Sequence, residues 1–467
     1  MGIKFGERLI RAGVVTEGQV ENALKEQAAN GGRLGQNLAR LGYVSENYIK
    51  SFMNAMPPPP PSAEATGLHK EFLAELALKQ VFYLGTFTIP ELSERMKLPH
   101  NIITGIVQDM RQSKFCEVKG GSAYQSVTYS FSVTAEGRKR AMELLEKSSY
   151  VGPAPVTLQE YRLMAERNSI RNVSLSEPDM RMAFAPYVVP ERLLGQFGAA
   201  VNSGKSIFIY GPAGNGKTVF AEALGRVMKE AVCIPHAVAV EREIIRVYDP
   251  VNHLTAEAGA YGSYDQRWVL CRRPLVVVGG ELTLKMLDLD FNPVHKFYEA
   301  PLQMKANGGV FVIDDFGRQM IRPRDLLNRW IVPLERRSDF LTLHTGKKFE
   351  IPFDELVIFA TNLEPRDLMD EAFLRRIHYK IKIDRPTEKE FREIFSRVCA
   401  TKGIECPQET LNWLIGERYA KTGTALNACH PRDIIEQMMD ISKYRNMKPT
   451  ITKDILGEVW NNYFIER

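Results

Sequence analysis

The chain has 467 residues, 44% hydrophobic and 25% charged, with a net charge of +5. This is ordinary globular composition, enough for about two to four domains. No apolar run is long enough to span a bilayer, so direct membrane insertion is not expected, and so small a charge is no argument for nucleic acid. Cys116, Cys233, Cys271, Cys399, Cys406 and Cys429 are scattered without a C-x-x-C pair. That argues against a disulfide framework or a zinc site and suits a reducing cytoplasm. The opening residues 1–7 lack the apolar stretch of a signal peptide.

Residues 1–56 contain a repeat. Lys4-Phe5-Gly6-Glu7-Arg8-Leu9 and its sequel to Glu17 return as Arg33-Leu34-Gly35-Gln36-Asn37-Leu38 and its sequel to Glu46. Each copy reads as a short helix, a turn at Gly13 or Gly42, a Thr or Ser cap and a second helix. Thr16 and Gln19 fit a capping box.

This pattern resembles the N-terminal domain of type II secretion and mannose-sensitive-pilus assembly ATPases, whose paired R-L-G-x-x-L motifs can bind cyclic di-GMP. The resemblance implies one half-site at Lys4, Gly6, Leu9, Val20, Leu24 and Gln27, and a second at Arg33, Leu34, Gly35 and Leu38. Lys4 replaces the family's preferred Arg, and Met56 stands where the second motif would end in Gln. Lysine lacks the bidentate fork of arginine. A docking module without the dinucleotide is the alternative.

Residues 57–67 open with five prolines and read as a semi-rigid spacer. Residues 68–149 then suggest an α+β unit. Helices are expected at 72–84, from Thr88 onward and at 102–112, strands at 117–121 and 127–131, and a closing helix at 134–147. The order resembles a winged-helix domain. Its third helix offers His100, Asn101, Thr104, Gln108 and Arg111, with Lys114 beyond, but Asp109 opposes phosphate. So thin a charge favours protein docking over duplex DNA.

After a connector at 150–185, residues 186–384 alternate strands and helices, as a parallel sheet requires. Ser206 to Tyr210 reads as a buried strand. Gly211-Pro212-Ala213-Gly214-Asn215-Gly216-Lys217-Thr218 then fits G-x-x-x-x-G-K-[ST], and Val219 continues into a helix. Backbone N–H groups and Lys217 suit triphosphate oxygens, and the Thr218 hydroxyl suits Mg²⁺. A second strand ends in Asp314-Asp315, the first acid for Mg²⁺ and the second for the attacking water. Asp315 is one methylene shorter than the commoner Glu, so slow hydrolysis is expected. A third strand, from Leu356, ends in Thr361-Asn362, a polar pair suited to the γ-phosphate and water.

These motifs in this order resemble AAA+ ATPases. The resemblance implies an arginine finger acting on a neighbouring subunit, at Arg376 first and Arg375 next, in the stretch Asp370 to Arg376. It implies a helical lid over 385–467, in which Arg432 of His430-Pro431-Arg432-Asp433 senses the γ-phosphate. An ion pair with Asp433 competes for that residue. Lys296-Phe297-Tyr298 has the character of an aromatic pore loop, with core packing as the plainer role. Residues 274–284 suggest an inserted β-hairpin, and His253 and Tyr261 have no catalytic spacing.

The expectation is a multidomain chain: a small helical N-terminal domain, a winged-helix α+β domain, an AAA+ α/β domain and a helical lid. As a cytoplasmic bacterial protein it would form a ring of ATP- and Mg²⁺-dependent subunits, a hexamer by resemblance. It would remodel a protein client or a secretion or type IV pilus component, under cyclic di-GMP control or through docking. A DNA-associated ATPase is the rival reading.

Overall fold

A computed structural model describes Gly6 and residues 9–10, 15–32, 34–44, 56–120, 129–256, 264–368 and 374–464. Within the N-terminal repeat, helices α1 (Glu17–Asn30) and α2 (Leu34–Arg40) close a small core of Leu9, Val15, Val20, Ala23 and Leu38. The Thr16–Gln19 capping box forms, each side chain bonding the other residue's backbone N–H.

The next unit runs α3 (Lys70–Leu84), β1 (Thr86–Thr88), α4 (Ile89–Met96), α5 (His100–Gln112), β2 (Cys116–Gly120), β3 (Ser130–Val133) and α6 (Ala135–Lys147). Its antiparallel sheet has the order β1-β3-β2. Leu73, Leu76, Leu92, Ile103, Ile106 and Phe131 share one core. Thr88 and Glu91 form a capping box that starts α4, with Pro90 in its first turn, where no N–H is needed.

The expected spacer is in fact strapped down. The Pro57 carbonyl accepts from Asp265 N–H at 2.8 Å, and the Pro61 carbonyl accepts from Asn101 Nδ2 at 2.8 Å. Arg267, only 1% exposed, donates to the Thr66 carbonyl at 3.2 Å and pairs with Asp265 and Glu160. Proline supplies the extended backbone, but its carbonyls and ring faces are free to dock, and composition could not reveal the dock.

Four short elements lead to the central layer: β4 (Val156–Thr157), α7 (Leu158–Arg167), α8 (Glu177–Phe184) and α9 (Glu191–Ser203). Next come β5 (Ile207–Tyr210), α10 (Lys217–Val227), β6 (Ala231–Pro235), β7 (Ala237–Val240), β8 (Glu243–Arg246), β9 (Trp268–Arg272) and β10 (Leu275–Val278). They are followed by β11 (Asp290–Asn292), β12 (Phe297–Glu299), α11 (Leu302–Ala306), β13 (Val310–Ile313), α12 (Pro323–Arg336), β14 (Ser338–Thr342), β15 (Lys348–Pro352), β16 (Leu356–Thr361), α13 (Pro365–Leu368) and β17 (Tyr379–Lys382).

Five of these strands make one parallel sheet in the order β10-β13-β16-β5-β17. Their side chains alternate between two cores, as the period of two demands. Ile207, Ile209, Val310, Val312, Leu356 and Ile358 face one way, beneath α8, α9 and α10. Phe208, Phe311, Ile313, Val357 and Phe359 face the other, against Trp330 of α12. Each such side chain contributes about 1.5–3 kcal/mol by leaving water. A strand covered on both faces must be apolar throughout, hence the continuous runs.

The suggested hairpin at 274–284 is not one. Leu275 to Val278 form β10, the edge of the parallel sheet paired with β13. A second five-stranded sheet, β11-β12-β8-β7-β4, lies in the segment between α10 and α11 together with β4. Lys296-Phe297-Tyr298 enters this sheet. Tyr298 is 1% exposed and hydrogen-bonded to His344, and Phe297 packs edge-on to Tyr150. Tyr298 is core and Phe297 is half-buried against Tyr150, packing that favours the plainer role of these rings over a pore loop. His253 is buried, its ring held between Asp249 N–H and the Lys305 carbonyl. Tyr261 lies outside the described residues.

The remaining chain is helical: α14 (Glu388–Thr401), α15 (Gln408–Trp413) running on into a π-helical turn at Leu414–Ala420, α16 (His430–Tyr444) and α17 (Lys453–Tyr463). Phe391, Phe395, Leu414, Tyr419, Ile435, Met438 and Trp460 form its core. Among the described residues no helix is long and apolar enough to cross a membrane.

Candidate nucleotide site

Parallel pairing aligns the carboxyl ends of β5, β13 and β16, so that residues 211–218, 314–315 and 361–362 meet at one edge of the sheet. That edge is where α/β sheets bind ligands. β5 is buried and α10 begins at Lys217, so the loop between them is forced into a tight return. Gly211 has φ 140°, and a Cβ there would overlap the Ile383 carbonyl. Gly214 has φ 76°, and a Cβ there would lie 2.7 Å from Cys429 Sγ. Neither position tolerates a side chain.

Lys217 is 7% exposed, and its Nζ donates to the carbonyls of Gly211 at 3.0 Å and Pro212 at 2.9 Å. Burial lowers its pKa, while Asp314 and Asp315 oppose that shift. The Thr218 hydroxyl lies 3.0 and 2.8 Å from the two carboxylate oxygens of Asp314. A hydroxyl and a carboxylate from neighbouring elements are hard oxygen donors of the kind Mg²⁺ takes when phosphates supply its other ligands. The donor set fits that ion, although among the described residues no group of three or more His, Cys, Asp or Glu could hold a metal by itself.

Asp315 follows β13 with φ 48°, and its Oδ1 accepts from Asn362 Nδ2 at 3.2 Å. Thr361 does not face the site. It is 1% exposed, and its hydroxyl donates to the Phe316 carbonyl at 2.6 Å. Gln319, which the motifs do not flag, donates to the Asp314 carbonyl at 2.8 Å and accepts from Gly317 N–H. It braces the turn after the two acids.

Of the arginine-finger stretch, residues 370–373 lie outside the described residues. Arg376 Nε lies 2.6 Å from Glu335 Oε1 of the same chain, while Arg375 is exposed. Arg432 pairs with Asp433 at 3.1 Å, and Asp433 also accepts from the Tyr463 hydroxyl at 2.7 Å. The competing ion pair is thus formed. What the sequence did not reveal is that the C-terminal helical region touches the 211–218 loop directly: Cys429 N–H donates to the Gly214 carbonyl at 2.9 Å, and Ala428 N–H to Asn215 Oδ1 at 3.1 Å.

In the N-terminal repeat, Leu9, Val20 and Leu38 are core residues, Gly35 is buried, and Leu34 packs against that core. A Cβ on Gly6 would lie 2.6 Å from Val20 Cγ1, so this glycine serves packing. Leu24 is 47% exposed, and Gln27 Nε2 donates to the Gly32 carbonyl at 2.9 Å. Lys4 and Arg33 lie outside the described residues. Met56 packs beside Cys233 in the core around the second sheet.

Residues 387–462 match a family described as "Domain of unknown function (DUF8689)". A search of curated proteins found no match. Similar solved structures include NtrX from Brucella abortus in complex with ADP, at 15% identity and TM-score 0.36 over 58% of this chain. The chain spans 55% of the length of that structure. The Thermotoga maritima RuvB Holliday junction branch migration motor aligns at 15% identity and TM-score 0.33, over 59% of this chain and 69% of its own. Domain III of the Thermotoga maritima replication initiation protein DnaA aligns at 14% and 0.36, over 60% and 95%. Likeness at this level carries no functional conclusion.

Proposed function

We propose that this protein is an AAA+ ATPase whose subunits assemble into a ring and spend ATP on remodelling a protein partner. One observation carries the reading: the loop bearing Lys217 and Thr218 faces Asp314 and Asp315 across adjacent strand ends, with Thr218 bonded to Asp314 and Asn362 to Asp315. In this reading the loop N–H groups and Lys217 take the β- and γ-phosphates, and Thr218 and Asp314 hold Mg²⁺, which would neutralise phosphate charge. Asp315 and Asn362 orient the attacking water. Arg375 reaches a neighbouring subunit more readily than Arg376, which Glu335 engages in its own chain. Arg432 leaves Asp433 for the γ-phosphate when the lid closes.

Residues 68–149 act in this reading as a winged-helix adaptor, supported by the β1-β3-β2 order, and they bind protein rather than DNA. The N-terminal repeat docks the motor to its partner, a secretion or pilus component by resemblance. Gly6, Gly35, Leu9, Val20 and Leu38 are occupied in packing, which supports docking over cyclic di-GMP, although Leu24 is exposed. The test is ATP hydrolysis by the full chain. Lys217→Ala should lower turnover about 100- to 1,000-fold, the scale of losing one preorganised transition-state donor. Unchanged turnover sinks the site. Calorimetry with cyclic di-GMP, with Arg33→Ala as control, tests the repeat.

A further inference from the structure

The lid meets the loop through a side chain that no phosphate-binding role requires. Asn215 is 3% exposed. Its Oδ1 accepts from Ala428 N–H at 3.1 Å, which fixes the orientation of the amide. Nδ2 then shares its two hydrogens among the carbonyls of Pro212 at 3.2 Å and Ala213 at 3.1 Å and Oδ1 of Asn427 at 3.4 Å. With that oxygen accepting, Asn427 Nδ2 is the donor to His430 Nε2 at 3.3 Å.

Burial holds the His430 ring neutral, its pKa lowered to about 4. A neutral ring that accepts at Nε2 carries its proton on Nδ1, and Nδ1 lies 3.0 Å from the Tyr419 hydroxyl. Tyr419 stands in the lid core, edge-on to Phe391 and Trp460. The side-chain donors from Asn215 through Asn427 to His430 therefore point from the loop into the lid, while the Ala428 N–H points back onto Asn215.

We infer that Asn215 is a positioning residue that latches the lid to the phosphate loop and passes the loop's state to helix α16, which carries Arg432. This deepens the nucleotide-site reading and rests on it. A side chain at position 215 must accept from Ala428 and donate to Asn427 at once. An amide does both, an aspartate only accepts, and an alanine does neither. The Cys429 N–H bond to Gly214 and the fit of Cys429 Sγ against that glycine complete the contact. A shift of residues 214–215 thus moves the first turn of α16, and with it the sensing arginine.

The test uses the full chain with Asn427→Ala, Asn215→Ala and the double variant, because Asn427 lies in the lid and not in the loop. Alkylation of Cys429 by iodoacetamide, resolved by mass spectrometry, reports release of the lid loop. Mg²⁺-ATP should slow it at least threefold in the unmodified protein. Each single substitution should speed it about tenfold without nucleotide, the effect of losing one net hydrogen bond, and abolish its response to ATP. The double variant should be no faster than either single one. Additive effects, or an ATP response preserved in Asn427→Ala, overturn the latch. If Asn215→Ala does not fold, Asn427→Ala alone decides by the same two readings. An unmodified protein that hydrolyses ATP without any change in Cys429 labelling overturns the latch and spares the site reading. One that binds no nucleotide overturns both.

Discussion

Asn362 Nδ2 donates to Asp315 Oδ1 at 3.2 Å across the ends of two neighbouring parallel strands, and so aims a carboxylate whose backbone sits in the left-handed region at φ 48°. Aspartate tolerates that conformation better than most residues. The bond couples the two side chains, as the proposed orientation of water by the pair requires. Asp315→Asn should keep ATP binding within a few-fold while turnover falls at least about 100-fold, the lower range for a lost general base. Phosphate release and nucleotide titration on one preparation check it. Equal loss of both would mean that Asp315 holds the nucleotide and not the water.

The two arginines divide differently. Arg376 is tied to Glu335 in its own chain. Removing a half-exposed pair of this kind costs at most about 1 kcal/mol of stability. Arg375→Ala should instead lower turnover by about 1,000-fold, the scale of a lost arginine finger. Mixed with Lys217→Ala subunits, it should regain activity, because each variant then supplies what the other lacks. If Arg376→Ala behaves in this way and Arg375→Ala is silent, the assignment reverses.

Glu355 gives a pH prediction. It is 1% exposed beside Asp354, and burial first, then the Asp354 and Asp339 charges, push its pKa well above 4.5, with Arg337 opposing. The folded state therefore binds a proton that the unfolded state releases near 4.5. This contribution to stability is complete below that pH and is lost as pH rises through the folded value. Glu355→Gln cannot ionise. Its melting temperature should match the parent near pH 4.5 and exceed it progressively at higher pH. A constant difference across the range would rule out the titration.

Arg267 bridges the strap at residues 57–66 to the body, through the Thr66 carbonyl on one side and Asp265 and Glu160 on the other. Arg267→Met leaves Asp265 charged and buried, which should cost about 3–5 kcal/mol. Denaturant unfolding measures it. Limited proteolysis should cut the proline segment faster in the variant. Unchanged cleavage would show that the prolines hold themselves in place.

Strands β5, β13 and β16 of the central sheet were legible because they are covered on both faces. The run Val310-Phe311-Val312-Ile313 has no polar member, and Asp314 and Asp315 follow it directly. The second sheet was not legible. Its strands are two to four residues long and gathered from both sides of β9 and β10, so no local period announces them. Residues 275–278 failed for a related reason: a four-residue apolar strand reads alike in a hairpin or at a sheet edge, and only pairing decides. Lys217, Thr218 and Asp314 announced themselves by spacing. Asn215 stood in the same motif, but its bonds to Asn427 and Ala428 were not legible, because those partners lie about two hundred positions away.

The contact between Gly211 and Ile383 has no side chain on the glycine to cushion it. Ile383 N–H is bonded to the Tyr210 carbonyl at 2.8 Å, and any Cβ on Gly211 would strike the Ile383 carbonyl. Side chains absorb small displacements by changing rotamer, whereas main chain pressed on main chain has no such compliance. Ile383 is also where the polypeptide leaves β17 for the lid. A displacement at the start of the loop would therefore pass to Ile383 with no side chain between them to absorb it.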